Sequence, residues 1–269
     1  MVLSTMESRI SRRCVRLRLG GVLAALSIVL GCGGSTTKPL LISAASDLQE
    51  ASSSLADQFF KETGITVQFN FAASGTLTQQ IEAGARPDVF ASANVAFVER
   101  LIKNHHINSE TMRIYAKGRL VVVTAKNEKK LNVLEELKDP RFARIAIANP
   151  ETAPYGAAAM GAIEASGLME VLKPRLIVAE NVRQAHQYVK LGEVDAAFVS
   201  ASLIGDQVAS NLTVSESLYR PLLQAAAPIK SSSRPYDAKR FVDFLCGEAG
   251  RTILLKSGFE APTVATAAP

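Results

Sequence analysis

The sequence predicts an α/β protein of two lobes, each a mostly parallel sheet flanked by helices, joined by a hinge that the chain crosses twice. Three observations predict it. Short apolar runs of strand length alternate with segments whose apolar residues recur at helical spacing, the pattern of βα units. The alternation breaks once, around Asn104 to Lys117, and resumes as a second set. A strand-like run at Leu222 to Ile229 and a helical stretch from Tyr236 to Gly258 then return across the break and complete the first lobe.

Taken in order, Leu40 to Ala45 is a buried strand that stops at small residues and hydroxyls. In the helix that follows, Asp47 to Thr63, Leu48, Leu55, Phe59 and Phe60 share a face, and Gly64 suits its C-cap. Val67 to Phe71 alternates as a strand, Leu77 to Ala83 is helical, Pro87 to Ala91 is a short buried strand and Val95 to Lys103 a helix. After the break come a continuous apolar strand at Arg119 to Ala125, a helix at Leu131 to Leu137 and a strand at Arg144 to Ala148. An Ala-rich helix at Tyr155 to Ser166, a strand at Leu176 to Val178, a helix at Val182 to Leu191 and a strand at Ala196 to Val199 follow. The first lobe is therefore expected to span residues 39–117 plus 222–261, the second 118–221, with a flexible tail at 262–269.

The 269 residues are 48% hydrophobic, enough for well-built cores, and carry a net charge of +5 with a pI near 9.2. That basicity is local. Arg9, Arg12, Arg13, Arg16 and Arg18 face one acid, Glu7, and removing the first 31 residues leaves 25 basic and 24 acidic groups. A chain so nearly neutral has no nucleic-acid footprint. The arginines precede an apolar run from Leu19 to Leu30, short for a membrane span but suited to a signal segment, and then Val29-Leu30-Gly31-Cys32.

This ending resembles the lipobox of bacterial lipoprotein signal peptides, which implies a leader at 1–31, cleavage before Cys32, acylation of its sulfur and a polar tether at 32–38. An ordinary signal peptide or a short membrane anchor is the alternative, and Ser11-Arg12-Arg13 leaves the export route open. Cys14 leaves with the leader and Cys32 carries lipid, so Cys246 is alone in the mature domain and reads as a helix residue, not a nucleophile.

Four strand-to-helix turns are built alike, at Ser46, at Ser74 and before Tyr155-Gly156 and Val182. The first backbone N–H groups of a helix lack intrahelical partners and the dipole there is positive, so four such turns facing one cleft would hold a small oxyanion. Taken singly, Ser46 and Ser74 read equally well as N-caps.

The motifs Ala44-Ala45-Ser46, Phe71-Ala72-Ala73-Ser74-Gly75-Thr76-Leu77, Gln80 to Ala85 followed by Pro87-Asp88-Val89-Phe90, Asn149-Pro150-Glu151 with Pro154-Tyr155-Gly156, and Ala179 to Arg183 occur in this order. Together they resemble the periplasmic molybdate-binding proteins of bacterial ABC transporters, from about Leu40 to Phe259. The resemblance implies the two-lobed periplasmic-binding-protein fold and a ligand, molybdate or tungstate, held without a charged side chain. It implies the hydroxyls and amides of Ser46 and Ser74 and the amides of Tyr155 and Val182 as the ligand set, with no resident cofactor or metal. It further implies an ABC permease as partner, and together with the lipobox a monomer lipid-anchored at Cys32, in the periplasm or on the outer face of the cell membrane. Ser200 stands where the family often has a Tyr whose hydroxyl reaches the anion. That substitution leaves sulfate open as an alternative ligand, and the Tyr155 hydroxyl as a replacement donor.

Other candidates read as structural. Arg86 and Asp88 are expected to fix their loop, and Glu180 and Arg183 to orient the Val182 turn. His105, His106 and His186 lack partners at metal spacing. A serine esterase using Ser74 is the alternative of another class, though no G-x-S-x-G or P-loop pattern is present.

Overall fold

The computed structural model describes residues 38–126, 131–204 and 211–262. The leader, Cys32, all of the tether but Lys38, and residues 263–269 of the expected tail lie outside the described residues. The elements are β1 Leu40–Ala45, α1 Gln49–Thr63, β2 Val67–Ala72, α2 Ser74–Glu82, β3 Val89–Ser92, α3 Val95–Lys103 and β4 Arg113–Gly118. There follow β5 Leu120–Thr124, β6 Ile145–Ala148, α4 Pro154–Ala165, α5 Met169–Leu172, β7 Leu176–Ala179, α6 Val182–Leu191 and β8 Ala196–Ser200. The chain ends with β9 Asn211–Thr213, β10 Leu222–Pro228, α7 Pro235–Cys246 and α8 Glu248–Lys256.

Two five-stranded sheets result, in the orders β2-β1-β3-β10-β4 and β7-β6-β8-β5-β9. The βα units give the parallel pairs, β1 with β2 and β3, and β6 with β7 and β8. The sequence predicts mostly parallel sheets, yet each is evenly mixed. β10 runs antiparallel to β3 and β4, and β5 to β8 and β9, because these strands enter from the other lobe rather than through a helical crossover. The chain passes between sheets at Arg119 and again between Thr213 and Leu222.

Strand periodicity divides the first lobe's core. Ala226, Val89 and Ala91 face a layer that holds Phe59, Phe241 and Phe244, whereas Ala225, Ala227 and Phe90 face Leu77, Ile81, Val98 and Leu101. Phe59 meets Phe241 edge-on at 5.1 Å between centroids. In the second lobe Leu120, Val122, Ile145, Ile147 and Phe198 pack against the Ala face of α4. A helix with Ala158, Ala159 and Ala162 inward lies close to its sheet.

Two further expectations are corrected, and one strand is new. The expected break contains β4, whose Tyr115 and Ala116 are buried while Arg113 and Ile114 are exposed, so its apolar signal is short and ends in Lys117-Gly118. The expected helix at Leu131 to Leu137 is a 3₁₀ turn at Leu134–Lys138, long enough only to bury Leu134 and Leu137. The three-residue strand β9 was not expected from the sequence, its apolar content being Leu212 alone.

Candidate anion-binding site

β1 ends at Ala45 and a 3₁₀ turn, Ser46–Leu48, leads directly into α1. β2 ends at Ala72 and α2 begins two residues on at Ser74. In the second lobe α4 begins at Pro154, whose ring is well suited to a first helical position, and α6 begins at Val182. These four helix starts meet at one cavity, lined by Ala45-Ser46-Asp47, Ala72-Ala73-Ser74, Ala153-Pro154-Tyr155, Ala93 and Val182. It is small, about 10 Å³, the scale of one water-sized particle rather than of an organic ligand. All four sequence-predicted residues are thus brought together, and all are buried.

Neither serine is a cap. Ala45 and Ala73 occupy the N-cap positions without side-chain bonds, and the serines are the first helical residues. Among the described residues the amides of Ser46, Ser74, Tyr155 and Val182 have no acceptor, as expected of first-turn donors. The Ser46 hydroxyl likewise has no partner among the described residues, although Ser46 is only 4% exposed. The Ser74 hydroxyl accepts the Ala93 amide at 3.0 Å, which fixes the oxygen and leaves its proton to donate. Four amides and two hydroxyls therefore present donors to one small space.

Close backbone approach makes this convergence geometrically feasible. A Cβ on Gly156 would lie 2.2 Å from the Ala148 carbonyl oxygen, so only glycine lets α4 start against the end of β6 and aim the Tyr155 amide inward. At α6 the Asn181 side chain accepts the Arg183 and Gln184 amides, and Gln184 accepts the Glu180 amide. The Val182 turn is oriented by Asn181 and Gln184, not by the Glu180 and Arg183 side chains that sequence reasoning singled out. The S/T/D/N preference for N-caps could have pointed to Asn181.

Ser200 is not in the lining. Its hydroxyl donates to the Tyr155 hydroxyl at 2.8 Å and lies 2.7 Å from that of Ser202. The Tyr155 hydroxyl also accepts from Gln224 Nε2 at 3.2 Å. Tyr155 therefore offers its amide to the cavity while its hydroxyl is engaged behind it with Ser200 and Gln224, so that hydroxyl is not the replacement donor that the sequence left open.

Sequence reasoning missed Asp47, the one charged side chain in the lining among the described residues. It is fully buried, its Oδ2 accepts from Gln224 Nε2, and its Oδ1 has no hydrogen-bond partner. Burial pushes its carboxyl up to about 6, against the opposing hydrogen bond from Gln224. Burial and the Asp47 charge likewise raise the Tyr155 hydroxyl far above its ordinary range. The available signal was an acid directly after the turn serine.

The remaining candidates are structural. Asp88 accepts from the Leu41 amide at 2.8 Å and from Ser232 Oγ, tying β3 to β1 and to the segment after β10. Cys246 closes α7, and burial raises its thiol, the opposite of an activated nucleophile. Among the described residues no group of three or more His, Cys, Asp or Glu side chains is placed to hold a metal ion.

The family model for bacterial extracellular solute-binding proteins matches residues 40–260. The molybdate-binding protein ModA of Rhodobacter capsulatus is 31% identical over 245 residues, covering 90% of this chain and 96% of that protein. That of Escherichia coli K12 is 31% identical over 247 residues, 88% and 95% of the two chains. The solved periplasmic molybdate-binding protein of Azotobacter vinelandii superposes with a TM-score of 0.80 at 30% identity, covering 83% of this chain and 99% of that one. These relatives are solute-binding proteins rather than enzymes, and with them the esterase alternative falls. The chain belongs to the bacterial extracellular solute-binding protein family, alongside the periplasmic molybdate-binding proteins.

Proposed function

We propose that this protein captures molybdate, and tungstate with it, between its lobes and delivers it to an ABC permease. The observation that carries the reading is the convergence of four orphan amides and two serine hydroxyls on one small cavity lined by no basic side chain. A dianion there loses hydration and recovers it through charge-assisted hydrogen bonds, each worth roughly 1.5–3 kcal/mol. Ser46, Ser74, Tyr155 and Val182 are the ligand set, and residues 39–117 plus 222–261 and 118–221 the two lobes that supply it. The matched relatives named for molybdate support this ligand. The Val29-Leu30-Gly31-Cys32 ending supports a lipid anchor at Cys32, which would keep a monomer in the periplasm or on the outer face of the membrane.

Isothermal calorimetry of residues 33–269 with molybdate, tungstate, sulfate and phosphate at one pH tests the reading. Tight binding of the first two with weak or silent sulfate is expected. A preference for sulfate would reassign the ligand, and no heat with any of the four would remove the oxyanion reading. Loss of membrane association in a Cys32→Ala variant of the full chain would be the mark of the anchor.

A further inference from the structure

Behind the cavity lies a buried cluster of polar side chains that joins the lobes, and it shares with the ligand set only Tyr155, whose hydroxyl lies in the cluster and whose amide faces the cavity. Asp47, Gln224 and Tyr115 come from the first lobe, and Tyr155, Ser200 and Ser202 from the second, none more than 2% exposed. We propose that Gln224 is a positioning residue for the oxyanion site, clasping the lobes together and holding the Tyr155 amide against the ligand. The inference rests on the oxyanion reading above.

Both Nε2 protons and the Oε1 of Gln224 are engaged. Nε2 donates to Asp47 Oδ2 and to the Tyr155 hydroxyl, and Oε1 accepts from the Tyr115 hydroxyl at 2.7 Å. The backbone is shaped for this. The register of β10 against β4 shifts between Gln224 and Ala225, a bulge of the kind that re-aims a side chain. The approach is also sealed. A Cβ on Gly118, just before the chain crosses to the second sheet, would lie 3.0 Å from Gln224 Nε2 and 2.1 Å from the Tyr155 hydroxyl.

A second bond closes the cluster from the other side, as Ser202 Oγ donates to the Asp47 carbonyl at 2.8 Å. Parting the lobes therefore breaks the bond from Gln224 to the Tyr155 hydroxyl and the bond from Ser202 to the Asp47 carbonyl, and each dry group must be hydrated or left unpaired. Tyr155 is the link to the ligand. One rigid ring separates its clasped hydroxyl from the amide in the cavity wall, so the clasp fixes where that amide stands. A contact that exists only between closed lobes governs release of the ligand more than its encounter.

Stopped-flow kinetics of molybdate binding to residues 33–269 tests this, with Tyr155→Phe and Gln224→Leu. Tyr155→Phe keeps the ring and the amide and loses only the clasped hydroxyl, so it decides the matter if Gln224→Leu does not fold. Molybdate is expected to dissociate about five- to tenfold faster from Tyr155→Phe, the scale of one net hydrogen bond, with association within about twofold of the parent. At saturating molybdate, X-ray scattering should show a larger radius of gyration for Gln224→Leu than for the parent. A change merely in fold stability would move neither the partition between the two rates nor the size of the saturated complex. If the parent binds and Tyr155→Phe releases molybdate at the parental rate, or loses affinity through association alone, the clasp is overturned and the oxyanion site stands. If the parent itself gives no binding signal, the oxyanion reading fails and the clasp falls with it.

Discussion

The Gly75 amide, in the first turn of α2, donates to the Thr152 carbonyl of the other lobe at 2.8 Å, and no side chain fits between them. A Cβ on residue 75 would lie 2.8 Å from that oxygen and 2.9 Å from the Thr152 Cα. Gly75→Ala should separate two effects that usually travel together. Alanine is the better helix former by about 1 kcal/mol, which offsets the small shift that a Cβ 3.1 Å from the Phe97 ring demands within the same lobe, so α2 and the first lobe should not be weakened. The approach of the lobes should be blocked. Calorimetry is expected to show molybdate affinity at least about tenfold lower, with a urea midpoint equal to or above the parent's. Parental affinity in this variant would mean that the bound form does not bring the lobes together here.

The two serines should differ in what their removal does. Ser46→Ala deletes a hydroxyl with no partner among the described residues, so stability should hold while affinity falls roughly ten- to a hundredfold, one lost charge-assisted bond. Ser74→Ala should lose affinity on the same scale and also stability, by about 1 kcal/mol, because the Ala93 amide loses its acceptor. Parallel calorimetry and denaturant unfolding check both. Unchanged binding in both variants would place the ligand elsewhere.

Much of this was legible in the sequence because its signals are local. The bounds of α3 and α6 follow directly from apolar spacing, and the turns at Ser46 and Ser74 from strands that end in small residues. The four turns that line the cavity were legible for the same reason, since a helix start declares its own orphan amides. What escaped was non-local. β4 is a strand because β10 pairs with it from more than a hundred residues away. Gln224 reads as an ordinary polar residue in an apolar run until the fold sets it between Asp47 and Tyr155. Asp47 looked like a first-turn helix acid, a common place for one, and only burial distinguishes it.

Gly156→Ala should act on the fold before the site. The Cβ would meet the Ala148 carbonyl oxygen at 2.2 Å and its carbon at 2.7 Å, both of them backbone, so relief requires moving α4 off β6. A loss of about 2–3 kcal/mol is expected in urea unfolding, the upper range for overpacking, despite alanine's higher helix propensity. A variant as stable as the parent would show that the start of α4 can shift freely, and the placement of the Tyr155 amide would then need another cause.

The pH dependence of stability should contain two opposed slopes. Asp47 is raised from 3.8 to about 6 by burial, with the Gln224 hydrogen bond opposing, so the folded state binds its proton more tightly than the unfolded chain. Stability from this group is greatest below about pH 4, falls as pH rises towards 6, and is lower by about 3 kcal/mol above that. His186 runs the other way. Burial, then Lys190 and Arg183, lower it from 6.5 to about 4, so its neutral form is favoured on folding and stability falls as pH drops from about 6.5 to 4. His186 is partly exposed, which reduces its share through solvent screening. Asp47→Asn keeps an acceptor for Gln224 and removes the first slope. Its unfolding free energy relative to the parent should therefore improve steadily between about pH 4 and 6 and level off above. His186→Gln should show the reverse difference, gaining on the parent as the solution is acidified. Denaturant unfolding of the three proteins across that range makes the comparison, and contributions from all other carboxylates cancel in the differences. A flat difference for Asp47→Asn would mean that its carboxyl titrates in the folded protein as it does in the unfolded chain.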